Sequence, residues 1–307
     1  MYKIFGLFTC LLILTLPSKM QGQDFNVGIR AGLAQSKFIG TLEEGITEDF
    51  GLSGGFHFGI NFQWNFNEFL GWRTELLYTQ LGSSYEMNAE NGAYIFNDFD
   101  RDIQNLVFRD ESRVTFRHSN AYVNIPQTIH LSLGDKFEVF GGAYVGFLIS
   151  PVATGQFEFA PNGDDLTEHR FTQGLNFNYH SDPNVFLSST CPAISANGDC
   201  ILIRVQGQDV DIPRVMDSDG FWNAGGTIFD EEVPGKFKSI DGGLIVGASY
   251  YLNRGLYLMG RVEYGLRDIT RNEADYSFAN VNDDATLIYR DDFDRNVSFQ
   301  FSLGFRF

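Results

Sequence analysis

His130 and Ser132 are the two side chains whose types and spacing come closest to catalytic chemistry. A hydrolase needs a base and a nucleophile on the same face, oriented by an acid, and residues two apart on a strand share a face. The other histidines are scattered along the chain without metal-ligand spacing; they are His57, His118, His169 and His180. The pair indicates a hydrolase only if its strand presents both residues to a substrate.

Charged residues recur at alternate positions of segments that have the pattern of strands. On such strands they share one face with small and polar residues. The set is Arg30, Arg73, Glu75, Glu138, Asp241, Arg261, Glu263, Arg267 and Arg306. This near balance of charge predicts a buried network of ion pairs, with Arg73/Glu75 and Arg261/Glu263 at its centre. A path for protons or solutes is the alternative.

Two cysteines and several acidic segments are candidates for cross-linking or ion binding. Cys191 and Cys200 bracket a short segment, and an even pair in an exported chain favours a disulfide. Residues 217–220, Asp-Ser-Asp-Gly, resemble part of a calcium loop, but no Glu closes it, so it fails as an EF-hand. The acid clusters predict a solvated, repulsive surface, with divalent-cation binding as the alternative. They lie at 164–165, 230–232, 283–284 and 291–292. We expect no cofactor and no dedicated metal site.

The charge balance limits the possible partners. The chain has 39 acidic and 22 basic residues and a net charge of −17, so it lacks the basic surface that nucleic-acid binding requires. Residues 1–22 have the pattern of a signal peptide, in which Lys3 precedes an apolar run over 4–16 that is too short for a spanning helix. We therefore expect an exported chain, 23–307, that does not bind nucleic acid.

The last segment, 295–307, has the clearest strand pattern. Apolar and polar residues alternate up to the final residue, which gives the strand one apolar and one polar wall. Such an apolar wall on an edge strand would aggregate in a soluble protein, whereas a closed barrel in a bilayer has no edge and an apolar outer surface. The terminal aromatic pattern resembles the signal recognised by barrel-assembly machinery. Its residues are Phe299, Phe301, Phe305 and Phe307.

Seven earlier segments repeat this alternation, and the connections alternate between long and short. The predicted strands are 25–34, 56–66, 70–79, 113–133, 137–150, 237–252, 256–269 and 295–307. Transmembrane barrels have this asymmetry, with short periplasmic turns and long extracellular loops. The sequence therefore predicts an all-β fold, a transmembrane antiparallel up-and-down β-barrel of eight strands in the bacterial outer membrane, with ten strands as the alternative. Residues 83–112 are expected to form a polar loop, and 151–236 a long extracellular loop or a small β cap.

Five segments resemble the PorT-like outer-membrane β-barrel family of Bacteroidetes-type bacteria. They are YVNIP at 122–126, GGAYVG at 141–146, DGGLIVGA at 241–248, RVEYGL at 261–266 and the closing stretch 299–307. The resemblance covers most of the barrel and little of the loops. It implies the barrel architecture, while a secretion-linked role does not follow from the fold alone.

Placed in this barrel, His130 and Ser132 face the lumen beside the short turn at Gly134, on the periplasmic side. A hydrolase that acts on outer-leaflet lipid has no substrate there, so we expect no enzyme. We expect instead a structural or interaction protein that binds a partner protein or an envelope assembly, such as secretion or uptake machinery, through its extracellular loops. Outer-membrane lipid, lipopolysaccharide, the barrel-assembly machinery and another outer-membrane or surface complex are the expected partners. The alternatives are a small transporter or channel, a lipid-modifying enzyme and, last, a soluble secreted β protein.

Overall fold

The computed structural model describes residues 24–40, 47–98, 103–160, 171–178, 200–205, 208–218, 236–272, 280–281, 287–288 and 293–307. The predicted signal peptide, residues 1–22, lies outside them. The strands are β1 Asp24–Ile39, β2 Thr47–Asn65, β3 Leu70–Asp98, β4 Ile103–Leu133, β5 Phe137–Ala160, β6 Phe171–Asn178, β7 Cys200–Val205, β8 Gln208–Pro213, β9 Val215–Ser218, β10 Ile240–Tyr251, β11 Leu256–Gly265, β12 Asn280–Val281, β13 Leu287–Ile288 and β14 Arg295–Arg306. In this part of the chain no helix is long and apolar enough to cross a membrane.

Eight of these strands close into a ring. β1 to β5 pair in chain order, β5 pairs with β10, β10 with β11, β11 with β14, and β14 returns to β1. The closing ladder is antiparallel and continuous from Gly28↔Arg306 to Ile39↔Arg295. Because the first and last strands pair, the ring has no open edge. The fold is the predicted antiparallel β-barrel of eight strands.

Three short turns and both described termini lie at one end of the barrel, which we call the turn end; the opposite end is the outer end. The turns are residues 66–69, 134–136 and 252–255. Gly134 has a φ of 75°, a left-handed conformation that glycine adopts without steric cost. The side chains of Asn67 and Asn253 accept hydrogen bonds from backbone N–H groups two and three residues later, which fixes the other two turns.

The two faces of the barrel wall have opposite character. On β14, Phe299, Phe301 and Phe305 point outward and are 42–68% exposed, whereas Ser298 and Gln300 point inward and are buried. The other ring strands repeat this arrangement, and Trp64 and Trp72 stack outside the wall near the turn end, with ring centroids 4.8 Å apart. A polar interior inside an apolar outer surface is the arrangement that a bilayer requires. We call this outer surface the apolar belt.

β3 and β4 are much longer than predicted. They have 29 and 31 residues and pair from Leu70↔Leu131 to Asp98↔Ile103, whereas a transmembrane strand needs about 9–11 residues. The segment 83–112, expected to be a polar loop, is therefore mostly strand. Where its side chains are described, the outward residues Ser84, Glu86 and Asn88 are polar, as in a loop, while the inward side chains of Tyr85 and Met87 are buried.

Segment 151–236 contains further strands. β5 continues through Ala160 beside β4 and then pairs with β6, and β9 adds to β6 in parallel. β7 and β8 form a separate hairpin. The parts of β2 to β5 beyond the ring, residues 47–53, 82–98, 103–119 and 151–160, form one sheet with β6 and β9. We call it the outer sheet.

Candidate functional site

The interior of the barrel holds two layers of buried charged residues, and Glu75 is the centre of the first. Its Oε2 accepts from Arg30 Nη2 at 2.8 Å and from Arg261 Nη1 at 2.9 Å, and its Oε1 accepts from Arg30 Nε at 3.1 Å. All three side chains are at most 4% exposed. Glu75 is on β3 and Arg261 on β11, which face each other across the ring. This contact therefore crosses the lumen.

Polar side chains complete this layer. Arg261 Nη2 lies 2.6 Å from Glu263 Oε1, and Gln300 donates to Glu263 Oε2 at 2.7 Å. Arg30 Nη1 donates to Ser302 Oγ at 2.7 Å, and His57 Nε2 lies 2.7 Å from the same oxygen. The Glu75 layer consists of Arg30, His57, Glu75, Arg261, Glu263, Gln300 and Ser302. Its members come from β1, β2, β3, β11 and β14.

A second layer, nearer the turn end, is centred on Glu138. Its Oε1 accepts from Arg73 Nη2 at 3.1 Å and lies 2.7 Å from His130 Nδ1. Arg73 also donates to Gln63 Oε1 at 2.6 Å. The Glu138 layer consists of Gln63, Arg73, Thr128, His130, Glu138 and Tyr251. The sequence suggested Glu75 as the partner of Arg73. The structure pairs Arg73 with Glu138 instead, because Glu75 already lies between the guanidinium groups of Arg30 and Arg261.

Tyr257 occupies the space beside these layers. The Arg73 guanidinium lies 5.5 Å from the Tyr257 ring centroid, and Asn61 Nδ2 donates to the Tyr257 hydroxyl at 3.3 Å. The ring lies against Gly304, where a Cβ atom would be 2.2 Å from Tyr257 Cζ. Glycine at this position lets a large aromatic side chain fill the lumen.

The outer end of the lumen is closed by packed rings. Phe38, His118 and Phe237 have mutual centroid distances of 5.5–5.9 Å and are all buried. Phe237 lies three residues before the start of β10 and forms an isolated β-bridge with Thr270. The cluster has no sequence motif, because its members are far apart along the chain. The only sequence signal was the alternation on β1 and β4, which places Phe38 and His118 at inward positions.

These contacts fill the interior with side chains, as expected of an eight-stranded barrel. Each buried charge of the Glu75 layer has a partner of opposite charge, which offsets its loss of solvation. The arrangement connects neighbouring and opposite strands of the barrel wall through ion pairs and hydrogen bonds. Described side chains occupy the lumen at both layers and at the outer ring cluster.

Three further charged residues predicted to face inward have other surroundings. Asp241 is buried, and its Oδ2 accepts from Asn296 at 2.9 Å and Tyr144 at 3.1 Å. Arg306 lies half-buried at the turn end, with its guanidinium 4.8 Å from the Tyr251 ring centroid. Arg267 is exposed, and its Cδ lies 3.8 Å from the Cβ position of Gly242 on the outward face. The alternation that predicts an inward Arg267 fails because β11 ends at Gly265.

The structure separates His130 from Ser132. His130 is buried, and its Nε2 lies 2.8 Å from Thr128 Oγ1 while its Nδ1 contacts Glu138. Ser132 is half-buried at the turn end and takes no part in these contacts. Thr128, His130 and Glu138 therefore form a hydrogen-bonded chain in the order of nucleophile, base and acid. All three side chains are at most 3% exposed, so the hydroxyl of Thr128, which stands in the nucleophile position, is buried inside the barrel.

The remaining predicted sites lie partly outside the described residues. Cys200, at the start of β7, is disulfide-bonded, whereas Cys191 is outside. The four acid clusters at 164–165, 230–232, 283–284 and 291–292 are also outside. The described residues contain no group of three or more His, Cys, Asp or Glu side chains that could hold a metal ion. Phe299, Phe301, Phe305 and Phe307 all lie on the outward face of the closing strand or its end.

Comparisons with known proteins identify a family. The model of the family described as outer membrane protein beta-barrel domain matches residues 20–271. No curated protein matches the sequence.

Among solved structures, Neisserial surface protein A (NspA) is 11% identical over 94% of this chain and 100% of its own, with a TM-score of 0.32. Ail of Yersinia pestis, in complex with the heparin analogue sucrose octasulfate, is 10% identical over 94% and 100%, with a TM-score of 0.31. The outer membrane protease OmpT from Escherichia coli is 10% identical over 95% and 99%, with a TM-score of 0.29.

Proposed function

The chain belongs to the outer membrane protein β-barrel domain family, and on this basis we propose that it is a non-enzymatic interaction protein of the bacterial outer membrane. It binds a partner protein or an envelope assembly on the extracellular side. The observation that carries the proposal is the outer sheet. The barrel anchors this sheet in the membrane, and the sheet presents the binding surface.

The length of the outer sheet supports this role. About 9–11 residues suffice to cross a bilayer as a tilted strand, so roughly 20 residues each of β3 and β4 extend beyond the membrane. A connection between two strands needs only a few residues. Ordering so many extra residues into paired strands costs conformational entropy, and these residues do not contribute to the membrane anchor. Their length therefore favours a separate function.

The packing of the outer sheet supports a fixed binding surface. Phe157, Phe159 and Phe171 of β5 and β6 are buried, with ring centroids 5.6–6.2 Å apart. Tyr85 and Phe50 pack at 5.2 Å on β3 and β2. Aromatic pairs on a sheet stabilise its register. The sheet can therefore hold its outward polar side chains in place for a partner.

The filled lumen favours this role over that of a channel or transporter. Two layers of paired charges and an outer ring cluster occupy the described interior, and solute passage requires their rearrangement. The buried Thr128–His130–Glu138 chain gives no support to a lipid-modifying enzyme, since all three side chains are enclosed.

We propose further that the protein is PorT-like and that its partner is a component of a secretion or uptake assembly. The support is the resemblance of the hairpin segments at 122–146 and 241–266 to that family. This finer assignment rests on the sequence pattern of these segments, and the co-purification experiment below is designed to identify the partner.

The experiment removes the outer part of the β3–β4 hairpin without changing its register. Tyr85 pairs with Phe116, so residues 86–115 are replaced by Asn-Gly, which forms a two-residue hairpin turn. The control removes only the tip: residues 90–111 are replaced by the same Asn-Gly turn, since Ala89 and Ser112 are also paired. Both proteins are purified from native membranes with any bound partner, and heat-dependent gel mobility verifies the folded barrel.

We expect the partner to co-purify with the full-length chain and to be lost from the 86–115 replacement. Retention by the tip control would place the contact on the outer-sheet strands themselves. Undiminished recovery of the same partner with the folded 86–115 replacement contradicts the proposal.

A further inference from the structure

A group of outward-facing cations lies on the wall formed by β10, β11, β14 and β1. Leu244, Tyr264, Val297 and Lys37 form one row across these four strands, through the pairs Leu244↔Tyr264, Tyr264↔Val297 and Val297↔Lys37. Arg295 lies two residues beyond Val297 toward the outer end. Arg267 covers Gly242, which lies two residues beyond Leu244. We call Lys37, Arg267 and Arg295, together with Tyr264, the cationic patch.

The patch lies at the outer boundary of the apolar belt. On β14 the outward side chains from Phe305 to Phe299 are apolar and exposed, and Arg295 follows them. Ten residues separate Phe305 from Arg295, which at about 3.4 Å per residue and a tilt of about 40° corresponds to a height of about 26 Å. The apolar band of outer-membrane barrels is about 25 Å tall. Arg295 is therefore level with the headgroups of the outer leaflet.

The guanidinium of Arg295 is held in position. Its Nη1 donates to the Tyr264 hydroxyl at 3.2 Å, and its Cζ lies 4.4 Å from the Phe293 ring centroid. Tyrosine at a membrane interface keeps its ring in the apolar zone and its hydroxyl among the headgroups. The Nε atom of Arg295 is buried, and its Nη2 atom takes part in neither contact. Guanidinium groups bind phosphate in bidentate geometry.

The three cations have no carboxylate partner within the described residues, although the whole chain has a net charge of −17. The acids closest along the chain are engaged elsewhere. Asp268 pairs with Lys238, and Asp294 is buried and accepts from Thr270. An acidic protein thus places three cations, without a carboxylate partner in the described part of the chain, where an anionic headgroup lies.

We propose that the cationic patch binds the phosphate groups of a phosphorylated glycolipid of the outer leaflet, with the acyl chains lying on the apolar belt below it. Neighbouring strands are about 4.8 Å apart, so the three cations fall within roughly 15 Å of one another. That spacing suits a headgroup with more than one phosphate. The site is independent of the partner-binding role of the outer sheet, from which it differs in both ligand and location.

The test compares lipid binding by the full-length protein and two charge variants. One variant carries Lys37→Gln, Arg267→Gln and Arg295→Gln. The matched control carries Lys136→Gln and Arg254→Gln, two exposed cations at the turn end. Purified proteins in detergent are incubated with lipid A that has both phosphates, and bound lipid is measured by native mass spectrometry. Heat-dependent gel mobility verifies folding.

We expect lipid A affinity to fall on the order of a hundredfold in the triple variant, because a cation near an anionic membrane surface contributes about 1 kcal/mol. The turn-end control should bind like the wild type. Equal affinity of the triple variant and the control overturns the proposal.

A second measurement needs no variant and stands even if the triple variant fails to fold. The wild type should bind lipid A with its phosphates in preference to the same lipid after their removal. A large excess of inorganic phosphate should not displace the lipid, since the acyl chains contribute to binding on the belt. Equal binding of the dephosphorylated lipid, or displacement by inorganic phosphate, contradicts a glycolipid site.

Discussion

At the residue scale, Glu75 joins three parts of the barrel wall. Its carboxylate on β3 binds the guanidinium group of Arg30 on β1, two strands away, and that of Arg261 on β11, the strand opposite β3 in the ring. A buried ion pair gives little net stability relative to an apolar pair, but removal of one partner leaves an uncompensated charge. Glu75 is shared by two cations, so its removal has the larger consequence.

We predict that Glu75→Gln destabilises the folded barrel by about 3–5 kcal/mol, because two buried guanidinium groups lose their common carboxylate. Urea unfolding in lipid vesicles measures this change. Glu86→Gln is the control, since Glu86 pairs with Arg113 at 3.0 Å where both side chains are more than 40% exposed. The control should change stability by less than about 0.5 kcal/mol. Equal stability of the two variants contradicts an energetic role for the Glu75 layer.

At the element scale, the barrel strands β11 and β14 contact each other inside the lumen through a tyrosine ring packed on a glycine. Gly304 on β14 lies beneath the ring of Tyr257 on β11, with only 2.2 Å between its Cβ position and Tyr257 Cζ. We predict that Gly304→Ala displaces Tyr257 and destabilises the barrel by about 1–3 kcal/mol, the usual cost of overpacking. The measurement is again urea unfolding in vesicles.

Gly260→Ala on β11 is the matched control for this prediction. The Cβ position of Gly260 has no atom nearer than 3.7 Å, from the ring of Phe301, so the methyl group fits without movement. Its stability should stay close to that of the wild type. A Gly304→Ala protein as stable as this control would show that the Tyr257 ring has room to shift.

The closing strand ends in an aromatic residue with a defined backbone contact. Phe307 is 71% exposed, and its N–H donates to Val27 O at 2.8 Å. We predict that deletion of Phe307 lowers the amount of assembled protein in the outer membrane more than it lowers synthesis, because the barrel-assembly machinery then lacks the terminal aromatic. Heat-dependent gel mobility of membrane fractions, compared with total protein, gives the ratio.

Leu303→Ala is the control for the assembly signal. Leu303 lies on the same outward face and is 52% exposed, but it is not one of the four aromatic residues of the signal. This variant should assemble normally. If deletion of Phe307 leaves assembly unchanged as well, β14 is an ordinary wall strand and the assembly signal lies elsewhere.

At the scale of the whole molecule, the barrel combines a filled membrane anchor with a sheet that extends far beyond it. Paired charges occupy the described lumen, and the outer end is closed by Phe38, His118 and Phe237. We predict that the wild-type protein shows no steady conductance in planar lipid bilayers. Vesicles prepared without protein are the control. Reproducible open-channel steps in the wild type contradict a filled lumen.

Much of the barrel was predictable because strand parity is a local property. Alternation on β2 and β14 placed their phenylalanines outside and their polar residues inside, and the structure follows that assignment. Parity fails where a strand ends, as at Arg267, because a residue beyond the last pair is free to turn outward. The interior partners were also beyond prediction, since Arg30 and Glu75 are on strands whose relative position depends on closure of the ring.

The sequence by itself determined which residues form the wall, which face of each strand is apolar and that the chain closes into a membrane barrel, because these follow from a repeat of two residues along the chain. Only the tertiary structure decided that Glu75 joins Arg30 to Arg261, that residues 83–112 extend the sheet, and that Lys37, Arg267 and Arg295 share one outward patch. These features depend on the register between strands and on the closure that brings distant strands together. No single segment of the chain contains that information.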